Sequence, residues 1–334
     1  MIASQRHSQC SEPSTRAMAE AMRTPSYLAL LEGGELRRRA NEALELLKHG
    51  GFFADRLGDG ASATPDSPPC DDGTQARLHS CGPLHDGESC LRGGRGSAAI
   101  FPSGCDLRCV GCQNWRTRWV GGGIEVQPDE LAALMLQLQA MGYHNVNLIN
   151  PGRIVVPFLQ ALAIAAENGL HIPIIYTSCG YESLARLRLL ESIVDIYILT
   201  LKYSDPGHAH TYSQASNYVD VSRSAAREMH RQVGDLVLDL DGLARRGLIV
   251  RHLVLPNGIA GADDTFRFVA RNISTGTAVN VRHDYEPRFR TRCHPAMDRQ
   301  PSRQEVAEAV RAAARHGLYR FDKGSLAHRF LARS

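Results

Sequence analysis

Lysine is almost missing from this 334-residue sequence: it occurs only at Lys48, Lys202 and Lys323, so nearly all the positive charge is arginine. With 38 basic against 35 acidic residues the net charge is only +3, which leaves no basic footprint for nucleic acid. No apolar run approaches the roughly 18 residues that a membrane helix needs. The polar N-terminus has no signal-peptide core. The expectation is a cytoplasmic protein with no nucleic-acid or membrane partner. Cysteine is sparse as well, nine in all. In a reducing compartment, cysteines that cluster mean metal or catalysis rather than disulfides.

Residues 1–95 read as an extension, partly helical and loop-rich. A helical pattern covers Tyr27–Lys48, and "GDGASATPDSPPCDDGT" (58–74) has the composition of a loop. From Ser97 short apolar runs begin: "SAAIF", "HNVNLIN", "IPIIYT", "VDIYILT", "LIVRHLV" and "AVNVRHD". Between them lie amphipathic stretches such as "PDELAALMLQLQAMG" and "VPFLQALAIAAENG", each closing on the glycine expected past a helix end. Continuous apolar strands alternating with helices imply a parallel sheet covered by helices. The prediction is an α/β fold, a partial (βα)6 TIM-type barrel over 96–320 with an N-terminal irregular and helical extension and a C-terminal tail at 321–334. A doubly wound sheet is the competing architecture. In a barrel the chemistry sits on loops at the C-terminal strand ends.

One such loop carries "SGCDLRCVGCQNW", residues 103–115. Cys105, Cys109 and Cys112 follow the first strand candidate directly. The spacing CxxxCxxC suits an iron–sulfur cluster, because thiolates are soft ligands and a short loop can wrap one corner of a cube. Structural zinc is the alternative, but it normally takes four protein ligands, and no matching Cys or His pair lies nearby. Three thiolates on a [4Fe–4S] cluster leave one iron open to an exogenous ligand.

The sequence resembles the radical SAM superfamily, and within it proteins related to the pyruvate formate-lyase activating enzyme. The blocks that carry the resemblance span roughly residues 85–320. They are "HDGE", "GRGSAAIFPSGCDLRCVGCQN", "HNVNLIN", "IIYTSCGYESLARLRLLESIVDIYI", "YVDVSRSAAREMHRQVGDLVLDLDGLARRGLIVRHLVLPNGIAG" and "AVNVRHDYEP". The resemblance implies that S-adenosylmethionine (SAM) chelates the open iron through its amino and carboxylate groups. It further implies that an electron from a low-potential donor such as flavodoxin or ferredoxin cleaves SAM to methionine and a 5′-deoxyadenosyl radical. That radical abstracts hydrogen from an unactivated C–H bond.

Departures from the subgroup narrow the reading. Gly111 stands where relatives carry a bulky residue before the third cysteine. "LTLKY" replaces "PDFKY", so an acidic residue has become Thr200 while Lys202 is kept, and "RHDYEP" replaces "MAQYRP". Most telling, "YTSCGYE" replaces "YNTGGYE" and puts Cys179 in place of a turn glycine. A thiol can give a hydrogen atom to a carbon radical, whereas a small half-buried hydrophobe is its bland use. Abstraction from one face of a carbon and return from the other is epimerisation. Among radical SAM epimerases of antibiotic biosynthesis, the chain is similar to the lineage that inverts a sugar carbon of avilamycin-type (orthosomycin) oligosaccharides. The alternatives are an activase that abstracts hydrogen from a protein glycine, and a non-catalytic electron carrier.

The resemblance also marks candidate SAM contacts: Asn150 and Pro151 after the second strand candidate, Ser178, Thr200 and Lys202, and His252 and Pro256 in "RHLVLPNG". Ser178 and Thr200 could equally satisfy local backbone, and Lys202 could pair with Asp195 or Asp205. His283, Asp284 and Tyr285 are candidates for a sugar-binding rim. Trp115 could stack on a pyranose or pack in the core. Cys10, Cys70, Cys81, Cys90 and Cys293 show no metal-like spacing.

Overall fold

The structure is a computed structural model, and it describes residues 24–49, 73–119 and 122–322. Part of the loop expected at 58–74, and most of the 321–334 tail, lie outside the described residues.

The first helix, α1 (Glu35–Lys48), follows a short 3-10 turn at Ser26–Leu30 and buries Leu36, Ala40, Ala43 and Leu47 along one face. Strand β1 (Ala76–Leu84) leads to a single helical turn, α2 (Ser89–Arg92), and then to β2 (Ser97–Pro102). The loop with the three cysteines comes next, then α3 (Trp115–Trp119), β3 (Ile124–Val126) and α4 (Pro128–Ala140). Regular alternation follows: β4 (Val146–Ile149), α5 (Val155–Glu167), β5 (Ile174–Ser178), α6 (Leu184–Leu189) and β6 (Ile196–Thr200). Two helices, α7 (Pro206–Ser213) and α8 (Tyr218–Val233), precede β7 (Val237–Leu238) and β8 (Ala244–Leu253). The chain ends on α9 (Ala262–Asn272), β9 (Ala278–Arg282) and α10 (Arg303–Arg315).

Strands β2, β4, β5, β6, β8 and β9 pair in parallel in that order. Neighbours in sequence are neighbours in space throughout, with no switch point, and that rules out the doubly wound alternative. No pairing joins β2 to β9 among the described residues, so the six units form an open, partial (βα)6 barrel. Burial on both faces explains the mainly apolar strands: all of β4 and β5 is buried, with Asn147, Thr177 and Ser178 as buried polar exceptions. Helix starts follow local chemistry, as in α4, where Gln127 and Glu130 form a capping box ahead of Pro128.

Two features lie beyond the pattern in the sequence. β1 pairs antiparallel with β2, and β3 with β1, extending the sheet past its first parallel strand. Its alternation is masked by Gly82 and Pro83, and by exposure of Ser80 and Cys81. At the other edge Phe321 bridges Val279 of β9. Helix α5 is apolar nearly all round because the sheet covers one side and α1 another. No helix among the described residues is long and apolar enough to cross a membrane.

Candidate active site

The cysteine loop is pinned from several directions. The N–H of Ser103 donates to the carbonyl of Arg77, and that of Gly104 to the carbonyl of Thr117. On either side of Cys109, Arg108 N–H donates to Ser213 O (3.1 Å) and Val110 N–H to Tyr212 O (2.9 Å). Leu107 and Val110 are buried in a cluster with Tyr181, Tyr203, Tyr212 and Leu255. With its apolar residues anchored there, the loop leaves Cys105, Cys109 and Cys112 lining one cavity of about 840 Å³. Burial pushes all three thiols above the usual thiol range, Cys112 to about 12, while Lys202 pulls Cys109 and Cys112 the other way. Among the described residues no three His, Cys, Asp or Glu side chains converge to hold a single ion. Three soft thiol side chains from one short loop, all lining one cavity, suit an iron–sulfur cluster with one iron left open.

Strand ends build the adjoining wall. Asn150 closes β4 with φ 47°, a left-handed conformation that asparagine tolerates. Beside it burial raises the Cys179 thiol above its ordinary value, against the pull of Lys202 and, more weakly, of the Asn150 side chain. Arg118, only 2% exposed, donates from Nη1 to Gly104 O (2.7 Å) and Asn150 O (3.2 Å), and from Nη2 to Ile149 O (2.6 Å). One guanidinium therefore ties the cysteine loop to the end of β4. Its Nε is buried with no partner among the described residues. Replacing Arg118 by lysine, a point charge that cannot serve three carbonyls at once, is expected to cost about 2–4 kcal/mol. Urea denaturation checks the stability, and iron uptake on anaerobic reconstitution should fall with it.

Behind this wall lies a buried ionic network. Arg153 Nε pairs with Asp106 Oδ1 at 2.6 Å, and Arg186 spans Asp106 (3.4 Å) and Glu182 (2.6 Å). Gly152 makes room for it, since a Cβ there would lie 2.5 Å from Arg186 Nη1. Ser178 serves the same network: its hydroxyl donates to Glu182 (2.7 Å) and accepts from Gly180 N–H (2.9 Å). It borders a recess of about 20 Å³ beside Cys105 and Cys179, with one of its two bonds to a side-chain carboxylate and the other from local backbone. Lys202 pairs with neither Asp195, which binds the N–H groups of Ser26 and Ile174, nor Asp205, which caps α7. Burial would lower the Lys202 ammonium, but Cys179 and Cys109 hold it well above its ordinary value.

The opposite wall is polar. Glu88 of "HDGE" receives both arms of Arg251 from β8 (2.5 and 2.6 Å) and the amide of Asn280 from β9 (3.0 Å). Next to it Ser89 donates from N–H and Oγ to Asp322, both at 3.0 Å. Together these bonds carry the segment ahead of β2 across to the last strands, over the open side of the barrel. Arg282 pairs with Asp284, and Gln113 donates to Asp284 O (3.1 Å). Tyr285 donates to Met297 O (2.8 Å). A Cβ on Gly111 would lie 3.0 Å from the Tyr285 hydroxyl, so Tyr285 takes up the space of the missing side chain.

The structure brings Cys105, Cys109, Cys112, Cys179, Asn150, Thr200, Lys202, His283, Asp284 and Tyr285 to the same cavity. Five other candidates, Pro151, Ser178, His252, Pro256 and Trp115, are not among its lining residues. His252 is the clearest correction. Strand alternation sends its neighbours Arg251 and Leu253 to the cavity and His252 to the other face, against Phe266 at 4.9 Å. Burial depresses its pKa to about 4. Pro256, itself buried, opens a turn whose other two residues are exposed, Pro151 precedes a mostly buried one, and Trp115 stacks on Phe289 at 5.1 Å. Arg118, Glu88 and Arg251 went unmarked as site residues; for Glu88 the "HDGE" block was the available signal. Cys81, Cys90 and Cys293 are free thiols outside the lining, and Cys10 and Cys70 lie outside the described residues.

No protein-family model matches the chain. An uncharacterized protein of Methanocaldococcus jannaschii is 26% identical over 232 residues, covering 66% of this chain. The chain spans 63% of that relative's length. Streptococcus suis SuiB bound to precursor peptide SuiA superposes with a TM-score of 0.46 at 13% identity, over 67% of this chain and 47% of that one. A radical SAM methyltransferase from Sphaerobacter thermophilus superposes with a TM-score of 0.43 at 14% identity, over 92% and 94% of the two chains.

Proposed function

We propose that this chain is a radical SAM epimerase that inverts a sugar carbon of an avilamycin-type oligosaccharide. The observation that carries the reading is the meeting of CxxxCxxC with a further thiol, Cys179, and with Lys202 in one cavity at the C-terminal ends of parallel strands. Cys105, Cys109 and Cys112 would hold a [4Fe–4S] cluster, and Asn150, Thr200 and Lys202, which line the same cavity, would contact SAM. When bound, cluster and SAM supply an oxidising carbon radical that takes one hydrogen atom from the substrate.

The remaining work belongs to the protein. Asp86, Arg92, Arg282, His283 and Asp284 line the cavity and mix carboxylates, guanidiniums and an imidazole. Hydrogen-bond donors and acceptors are both present there, as binding a polyol requires. The buried tyrosines around Leu107 and Val110 keep water from the cysteine side. Cys179 returns a hydrogen atom from its S–H to the opposite face of the carbon. Its sulfur then regains one electron and one proton, the electron from a carrier such as flavodoxin or ferredoxin.

The test is anaerobic reconstitution, then reaction with SAM, a strong reductant and an orthosomycin precursor in D₂O, followed by mass spectrometry. The expected result is 5′-deoxyadenosine together with a sugar isomer carrying one solvent deuterium. SAM cleavage with no sugar change would overturn the epimerase and favour the activase. Failure to bind iron and sulfide would overturn the whole reading.

A further inference from the structure

A chain of buried hydroxyls ends on one of the three loop thiols. Ser213, the last residue of α7, is 1% exposed, and its hydroxyl donates to Cys109 Sγ at 3.0 Å. Tyr203 Oη lies 2.8 Å from the same Ser213 oxygen. A serine hydroxyl has one proton, so if it goes to sulfur, Tyr203 must donate to Ser213. The direction is then fixed: Tyr203 O–H to Ser213 O–H to Cys109 sulfur. The backbone holds this register, because the carbonyls of Tyr212 and Ser213 take the N–H groups on either side of Cys109.

We propose that Ser213, polarised by Tyr203, is a positioning residue that sets the reduction potential of the cluster held by Cys109; this rests on the cluster reading above. A hydrogen bond to a ligating sulfur withdraws electron density from it and favours the more negative, reduced state. In a low-dielectric pocket the second hydroxyl strengthens the first. Ser213 is not among the residues that line the cavity and acts through Cys109; Tyr203 does line it, so its part in the potential is read from whether its effect vanishes once Ser213 is gone.

Full-length protein is reconstituted anaerobically, and cluster potential is measured by EPR-monitored redox titration for wild type, Ser213→Ala, Tyr203→Phe and the double variant. Ser213→Ala should shift the potential negative, with a roughly three- to tenfold fall in the reduced-to-oxidised ratio at fixed solution potential, where tenfold equals about 1.4 kcal/mol. Tyr203→Phe should shift it less, in the same direction, and the double variant should match Ser213→Ala alone. A fully loaded Ser213→Ala protein at the wild-type potential overturns the proposal. So does a Tyr203→Phe effect that persists in the Ser213→Ala background. If Ser213→Ala does not load, Tyr203→Phe decides: a negative shift supports the proposal and none overturns it. Wild-type protein that binds no cluster overturns this proposal together with the reading beneath it.

Discussion

Cys179→Ala is expected to cleave SAM at close to the wild-type rate and to form no epimer. Cys179 follows β5 and lines the cavity with the three loop thiols and Lys202. No backbone contact there needs a side chain, since the carbonyl of Cys179 alone receives the Tyr218 hydroxyl (2.8 Å). Truncating one half-buried thiol costs stability on the order of 1 kcal/mol, too little to disturb a cavity this large. Cys179→Ser separates donor from spacer: it keeps a polar atom for Asn150, but its O–H is too strong to give hydrogen to a carbon radical. Both variants should therefore turn over SAM and release unepimerised sugar, read by mass spectrometry of nucleoside and oligosaccharide together. Epimer formed at the wild-type rate by either variant would remove Cys179 from the reaction.

Much of the barrel was legible because its strands are buried on both faces, so β4, β5 and β6 read as short, mainly apolar runs instead of alternating ones. The cysteine triad was legible because its chemistry lies within eight consecutive residues, Cys105 to Cys112. What escaped was whatever depends on side-chain direction or on distant partners. His252 sits in a strand that does line the cavity, yet a period of two turns it toward Phe266 while Arg251 and Leu253 face inward. Ser178 stands beside Cys179, but its hydroxyl is committed to Glu182 four residues on, and Glu182 to Arg186 and thence Asp106 in the cysteine loop. Nothing in a linear reading links Arg118 to Ile149, or Ser213 to Cys109, across 31 and 104 residues. Trp115 shows the same limit: the ring it stacks on, Phe289, lies far along the chain.

Glu88→Gln should lower stability at neutral pH by about 3–5 kcal/mol, the range for breaking a buried ion pair by neutralising one partner. Glu88 is 1% exposed, and its two oxygens hold both arms of Arg251 and the Asn280 amide. The glutamine keeps the shape but places an NH₂ against a guanidinium that has lost its counter-charge. Burial alone would raise the Glu88 carboxyl, but Arg251 and then Asn280 outweigh it and bring the folded value down to about 2, against an ordinary 4.5. The unfolded chain therefore takes up this proton first as pH falls. The stability Glu88 contributes is full above pH 4.5 and is lost progressively toward pH 2. Urea midpoints of the metal-free proteins at a series of pH values would show this, with acid loss of bound metal kept out of the comparison. Wild type should fall more steeply than Glu88→Gln between pH 4.5 and 2, and the two should converge at the acid end. Equal stability at pH 7 would mean that the strap from "HDGE" to β8 and β9 closes the open side of the barrel without holding it. Because Arg251, Asn280 and Gly87 also line the cavity, loosening the strap should widen the polar end, so Glu88→Gln should weaken sugar binding more than SAM cleavage.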